Sequence, residues 1–341
     1  MLDNFTNHLT WAIAARETKD FFQARKLVDF LWQGSRAVQD PDVKTFLSGV
    51  AQGIDLGDVI SQVQHLDLFV NEMLPWLQAH STNKILGLDQ FQADYSAGTT
   101  QSFESFYWRH RQRRMRCLVG EYFYHLKAWI STGTNWQFLT EQSPLQMGDA
   151  LVLSAPFCDT GDMPRDYHEI LARCEKLSIP VLIDACYYPI SHDVTLDLNY
   201  ACIDTVSFSL SKAFPVANLR IGVRYIRSDV FDGQKLLDSI NYNNVFSAYV
   251  GRKLLQRFGS DYIDNVYRNR QLQACKKLNL RASNCVLFAV GDDAWSKYNR
   301  KNLLQTYKLN FDAAMFANRI SLVALFDNWN IFEAIKNAAS T

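Results

Sequence analysis

Hydrophobic positions follow two different textures along the chain, and the change between them comes near residue 86. Over the first 80 or so residues, Trp11, Ala14, Ala15, Phe21, Phe22, Leu27, Phe30 and Leu31 recur close to a helical period and β-branched runs are absent, which predicts helices. Breaks are expected at Gly34-Ser35, at Asp40-Pro41 and between Gly53 and Gly57, where turn formers interrupt the pattern. Beyond residue 86, short apolar runs at 115–119, 150–153, 180–183, 205–208 and 220–225 read as buried strands, and 167–177 as a crossover helix. Alternation of this kind predicts an α/β layer around a mostly parallel sheet. The pattern is helical again from 228 to about 278, and the runs 283–290 and 320–325 predict two strands of a smaller lobe. The expected division is a helical segment 1–85, belonging to the small lobe or to a dimer arm, a large domain 86–255 and a small C-terminal domain 256–341.

Composition narrows the classes of partner. With 48% hydrophobic and 13% aromatic residues the chain can bury a large interior, and its 35 basic residues balance 35 acidic ones. A neutral chain is not built to hold nucleic acid or an anionic membrane, so a small-molecule substrate is expected. The basic run 109–116, which lies beside Phe106, Tyr107 and Trp108, is expected to end a helix, complement its dipole and face water. Seven cysteines with no CxxC pair read as reduced thiols of a cytoplasmic protein. The first residues lack a secretion-signal pattern, and charge breaks every apolar run within about a dozen residues, too soon for a membrane span. No histidine spacing suits a metal, and no G-x-S-x-G hydrolase signature occurs.

The chemistry-bearing residues fall in order. In Ser209-Leu210-Ser211-Lys212, with Arg220 eight positions on, a lysine amine able to condense with an aldehyde sits among groups able to hold a phosphate. The run 181–183 ends in Asp184, with Tyr187 three positions later, at the carboxyl end where open α/β sheets place ligands. Gly98-Thr99-Thr100 precedes a helix expected from about Ser102, and a helix start of that kind cradles phosphate. Taken singly, these are also a surface lysine, a capping aspartate and an ordinary helix start.

Together, in this order, they resemble the motifs of the class I/II aminotransferase family, the fold type I pyridoxal-phosphate enzymes. The resemblance implies an α/β fold with a large domain of mostly parallel sheet between helices and a small α+β domain, trimmed here because little chain follows Gly222. It implies pyridoxal 5'-phosphate as cofactor, no metal, and an amino acid as substrate. Lys212 would form the Schiff base and move the Cα proton, Asp184 would keep the ring nitrogen protonated, and Tyr187 would bond the ring hydroxyl. Gly98, Thr99, Thr100, Ser209 and Arg220 would anchor the phosphate, with Ser211 also among the cofactor-binding residues. Phe123, with Tyr122 next in line, would stack on the ring, and Arg319 of Arg319-Ile320-Ser321-Leu322 would grip the substrate carboxylate. Residues 154–161 resemble the family's Asn-Pro-x-Asn-Pro-Thr-Gly loop, with Cys158 where the family has an asparagine. A homodimer is implied, with residues 242–246 as a candidate contact. No tyrosine precedes Tyr95, so the one that the family lends to its partner's phosphate site is missing. Transamination is the expected reaction; a lyase, decarboxylase or oxidase of the same fold, or a PLP-binding protein with reduced catalysis, is the alternative that Cys158 leaves open.

Overall fold

A computed structural model of the chain describes residues 35–227, 231–298 and 316–329. The early helical pattern at Trp11 to Leu31 and the N-terminal half of the Gly34-Ser35 break lie outside them. Twelve strands are present among the described residues: β1 Lys84–Leu86, β2 Gln92–Ser96, β3 Arg114–Leu118, β4 Trp136–Leu139, β5 Asp149–Ser154, β6 Val181–Asp184, β7 Thr195–Asp197, β8 Ile203–Ser209, β9 Gly222–Ile226, β10 Arg281–Ala282, β11 Phe288–Gly291 and β12 Asn318–Ser321. Seven of them form the central sheet in the order β2-β9-β8-β6-β5-β3-β4, parallel except for β9, which runs antiparallel to both its neighbours.

Strands β5 and β6 are buried along their whole length, which is why they read as unbroken apolar runs: helices cover both faces of a parallel sheet. The Tyr167–Lys176 helix links them as the expected crossover. The Gln64–Gln78 helix packs on the Val245–Arg257 helix and on β2, so this part of the N-terminal segment joins the core of the central sheet. Trp76 Nε1 donates to the Phe258 carbonyl at 2.8 Å, and Asp40, which caps the Pro41–Gln52 helix, accepts from Tyr262 and Tyr267.

Two expectations are corrected. The run 320–325 is a strand only as far as Ser321; pairing with β11 ends at Phe288↔Ser321, and Val323–Asp327 turns into a helix. A short apolar run buried on all sides has no period to separate the two states. The basic run faces water only in part: Arg111 and Gln112 are exposed, while three of its arginines pair with acids. Arg109 makes a two-pronged bond to Asp204 (2.9 and 2.7 Å), Arg114 reaches Asp149 at 2.7 Å, and Arg116, 0% exposed, reaches the same carboxylate at 2.6 Å. These cations join the end of the Thr99–Arg109 helix and the edge of the sheet to acids on neighbouring strands.

Candidate active site

Register brings the phosphate-type residues together. Gly222 at the start of β9 pairs with Ser96 on one side and Ser209 on the other, because β9 alone runs backwards. The segments that follow Ser96 and Ser209, and the one that precedes Gly222, therefore leave the sheet at the same edge. They are Gly98 to Thr100, Ser211 to Lys212, and Arg220. At this corner the Thr99–Arg109 helix begins without a side-chain cap, so its first N–H groups and its positive dipole end point outward. Arg220, in the left-handed region at φ 55°, donates to Thr100 Oγ1 at 3.0 Å, and among the described residues it has no acidic partner. The buried Ser211 Oγ has no hydrogen-bond partner among the described residues. An arginine, a bare helix start and an unpartnered hydroxyl at one point suit a phosphate dianion.

Gly98 makes that approach possible. It holds φ 73°, and a Cβ there would collide with the Arg220 guanidinium. Gly98→Val is expected to weaken binding of a phosphate-bearing ligand at this corner about 10- to 100-fold, the loss of one or two charge-assisted bonds, in a binding titration, with the far-UV circular dichroism unchanged.

Two strands along, Asp184 pairs with Ser154 at the end of β5 and with Ser207 near the end of β8. It is 3% exposed, and burial pushes its carboxyl up to about 6 against the opposing pull of the Cys186 N–H and the Lys212 cation. A buried carboxylate with no salt bridge among the described residues is suited to a protonated ring nitrogen. Tyr187, buried as well, donates to Ser35 Oγ at 2.8 Å, and Lys212 Nζ donates to the Ser35 carbonyl. Cys158 Sγ lies 3.9 Å from the Tyr187 hydroxyl. Its loop is pinned by the Cys158 N–H bond to Ser154 Oγ, which in turn bonds the buried Glu121. From the three-stranded sheet β10-β11-β12, Arg319 donates to the Cys158 carbonyl and lies over the Phe288 ring at 4.3 Å. Although only 6% exposed, it has no acidic partner among the described residues, which suits a ligand carboxylate.

Comparisons with known proteins fit this arrangement. Residues 139–271 match the family described as aminotransferase class I and II. No curated protein matches the chain. An aromatic aminotransferase from Pyrococcus horikoshii OT3 superposes with a TM-score of 0.62 at 14% identity, over 90% of this chain and 94% of that one. The histidinol-phosphate aminotransferase from Clostridium acetobutylicum gives 0.60 at 13% identity, over 91% and 98%. The fold is that of the fold type I aminotransferase superfamily. A PLP-bound C-S lyase from Staphylococcus hominis shares it equally well, with a TM-score of 0.59 at 10% identity over 91% of this chain and 90% of that one.

Within the fold type I frame, Gly98, Thr99, Thr100, Cys158, Asp184, Tyr187, Ser209, Ser211, Lys212, Arg220 and Arg319 all lie around one region at the carboxyl edge of the sheet. Phe123 does not share it. Its ring is buried in the second core cluster with Phe103 and Leu126, facing Phe316 at 6.4 Å. Tyr122 is the aromatic turned toward the site: 37% exposed, its hydroxyl is pushed up to about 12 by burial, then by Cys186, Cys158 and Asp184, with Arg220 opposing. The Phe123–Thr132 helix starts one residue after Tyr122, which is extended at φ −60°, ψ 121°, so the two adjacent side chains leave in different directions.

Two further residues escaped the sequence pattern. His125, edge-on to Tyr122 at 5.9 Å, is held neutral by burial, which pushes it down to about 3. Its Nδ1 bonds Tyr107, and its Nε2 has no partner among the described residues. The Tyr-x-x-His spacing at a helix start was the available signal. Ser35 had none, since it lies 177 residues from Lys212.

Proposed function

We propose that the protein is a pyridoxal-phosphate-dependent enzyme acting on an amino acid, with transamination as its reaction. The observation that carries this is the convergence of Lys212, Asp184 and Tyr187 with Arg220 and a bare helix start at one sheet edge. When bound, the cofactor supplies an electron sink for the bond that breaks at the substrate Cα. Lys212 would hold the cofactor aldehyde through Nζ, and the same amine would take and return the substrate Cα proton. Asp184 keeps the ring nitrogen protonated, and Tyr187 bonds the ring oxygen. Gly98, Thr99 and Thr100 offer backbone N–H groups to the phosphate, joined by Ser209, Ser211 and Arg220. Tyr122 covers a face of the ring, and Arg319 holds the substrate carboxylate in a two-pronged grip. A cytoplasmic homodimer completes the proposal, supported by the exposed apolar side chains Phe231, Leu236, Ile240 and Tyr242.

Added pyridoxal phosphate is expected to turn the purified protein yellow, with a band that borohydride bleaches and that Lys212→Ala abolishes. A protein that stays colourless and takes up none would sink the proposal.

One observation favours a second reading. A thiol at position 158 is a weak donor beside Tyr187, which alters how the ring oxygen is held and makes a lyase, decarboxylase or oxidase of this fold the rival. Amino acids screened with and without a keto-acid acceptor, in air and without oxygen, separate the two. Product that forms without any acceptor rules out transamination.

A further inference from the structure

Tyr187 is the side chain the site relies on for the ring oxygen, and its own surroundings decide how strongly it can donate. The phenol is buried, and burial pushes its proton affinity well up. The groups around it come from several elements. Cys158 comes from the loop after β5, Arg319 from β12, Cys186 from its own turn, and the Phe288 ring stands edge-on at 5.2 Å. Lys212 is joined to it through Ser35. Of these, Cys158 Sγ at 3.9 Å is a poor hydrogen-bond partner. The Arg319 guanidinium is turned to the Cys158 carbonyl and lies 3.8 Å from its sulfur. Among the described residues, the one strong neutral hydrogen bond of the phenol is the one it donates to Ser35 Oγ at 2.8 Å.

We infer that Ser35 is a positioning residue for the cofactor, whose hydroxyl braces Tyr187 where Cys158 supplies no side-chain amide. The inference rests on pyridoxal phosphate being the ligand of this site. A serine hydroxyl can both accept and donate. When Tyr187 turns its proton toward a bound oxygen anion, Ser35 reverses its own bond and donates to the phenol, and a chain of two such bonds holds the anion better than Tyr187 alone. In the cofactor-free chain the Ser35 carbonyl accepts from Lys212 Nζ, which places the residue beside both functional groups. Position 35 thus lends the site polar support that the loop at 154–161 lacks.

The consequence can be read in the spectrum. Negative charge on the ring oxygen, when well held, lets the lysine–cofactor linkage lose its proton at lower pH; when poorly held, the linkage keeps its proton to higher pH. In protein loaded with pyridoxal phosphate, Ser35→Ala is expected to raise the pH midpoint of the visible band by about one unit, the size of one net hydrogen bond, and to weaken cofactor binding several-fold. Ser35→Thr, which keeps the hydroxyl, should restore both values. Against a Tyr187→Phe background, Ser35→Ala should add nothing, because the partner of its hydroxyl is gone. Ser35→Cys, a weak donor of similar size, gives the same reading should the alanine variant not fold. An unchanged midpoint in Ser35→Ala, or an equal shift with and without the Tyr187 hydroxyl, overturns the inference while the borohydride-sensitive band of the wild type leaves the proposed function standing. A wild type that forms no such band overturns both.

Discussion

Asp184→Asn is expected to cut the turnover of the cofactor-loaded protein roughly 10²- to 10⁴-fold while leaving the fold intact. The carboxylate is 3% exposed, and its nearest donor, the Cys186 N–H at 3.2 Å, does not neutralise it. Removing one member of a buried charge pair typically costs about 3–5 kcal/mol, which converts to that loss when the pair is needed to keep the ring nitrogen protonated. The same carboxyl gives the cofactor-free protein a pH signature. Its value of about 6 in the folded chain stands above the 3.8 of an ordinary aspartate, so the folded state binds the proton more tightly than the unfolded one. That contribution to stability is full below about pH 4 and is lost as the pH rises through 6. Stripped of cofactor, wild type should therefore be less stable than Asp184→Asn by about 2–3 kcal/mol near pH 8, and the gap should close near pH 4. Urea unfolding at several pH values tests this; a gap independent of pH would remove Asp184 from the role. A protonated ring nitrogen against the carboxylate draws its proton affinity back down, so loading the cofactor should abolish the signature.

The largest stability loss is expected at Asp149. Its carboxylate accepts from Arg114 Nε and Arg116 Nη1 at 2.7 and 2.6 Å and from the Gln146 N–H at 2.9 Å. Burial alone would raise its proton affinity, yet the bonds from Arg114, Gln146 and Arg116 hold it below the usual carboxylate value. Asp149→Ala leaves Arg116, 0% exposed, as an uncompensated charge inside the sheet. The cost is about 3–5 kcal/mol, more than most single substitutions, and should appear as a fall in the urea midpoint. Because the Asp149 proton affinity is depressed, the wild-type advantage is present above about pH 4 and fades as the pH falls through the folded value. A loss under about 1 kcal/mol would mean that Arg116 reaches water or another acceptor in the variant.

Much of this could be read before the fold. Strands β5 and β6 announced themselves as unbroken apolar runs, and Asp184-x-x-Tyr187 followed from its place at the end of one. Ser209-x-Ser211-Lys212 and the Gly98-Thr99-Thr100 helix start were likewise visible, since each depends on local sequence and on strand ends facing one way. Phe123 and Tyr122 were exchanged because the choice turns on one residue at a helix boundary, where local patterns are least sharp. Within the 109–116 run, Arg109, Arg114 and Arg116 were read as solvated because their acids, Asp204 and Asp149, lie on other strands. Cysteine at position 158 showed a departure from the family pattern, yet nothing in the sequence pointed to the hydroxyl beside it.

By itself the sequence determined the alternation of strand and helix, the order of the lysine, aspartate, tyrosine and arginine motifs, and so the fold class, because each is written in periodicity and in short local signals. Only the tertiary structure decided which aromatic faces the site, that Arg116 is buried against Asp149, and that Ser35 meets Tyr187 and Lys212. Those are contacts between segments far apart in the chain, and long-range packing, with the burial and desolvation it imposes, has no local pattern from which to read it.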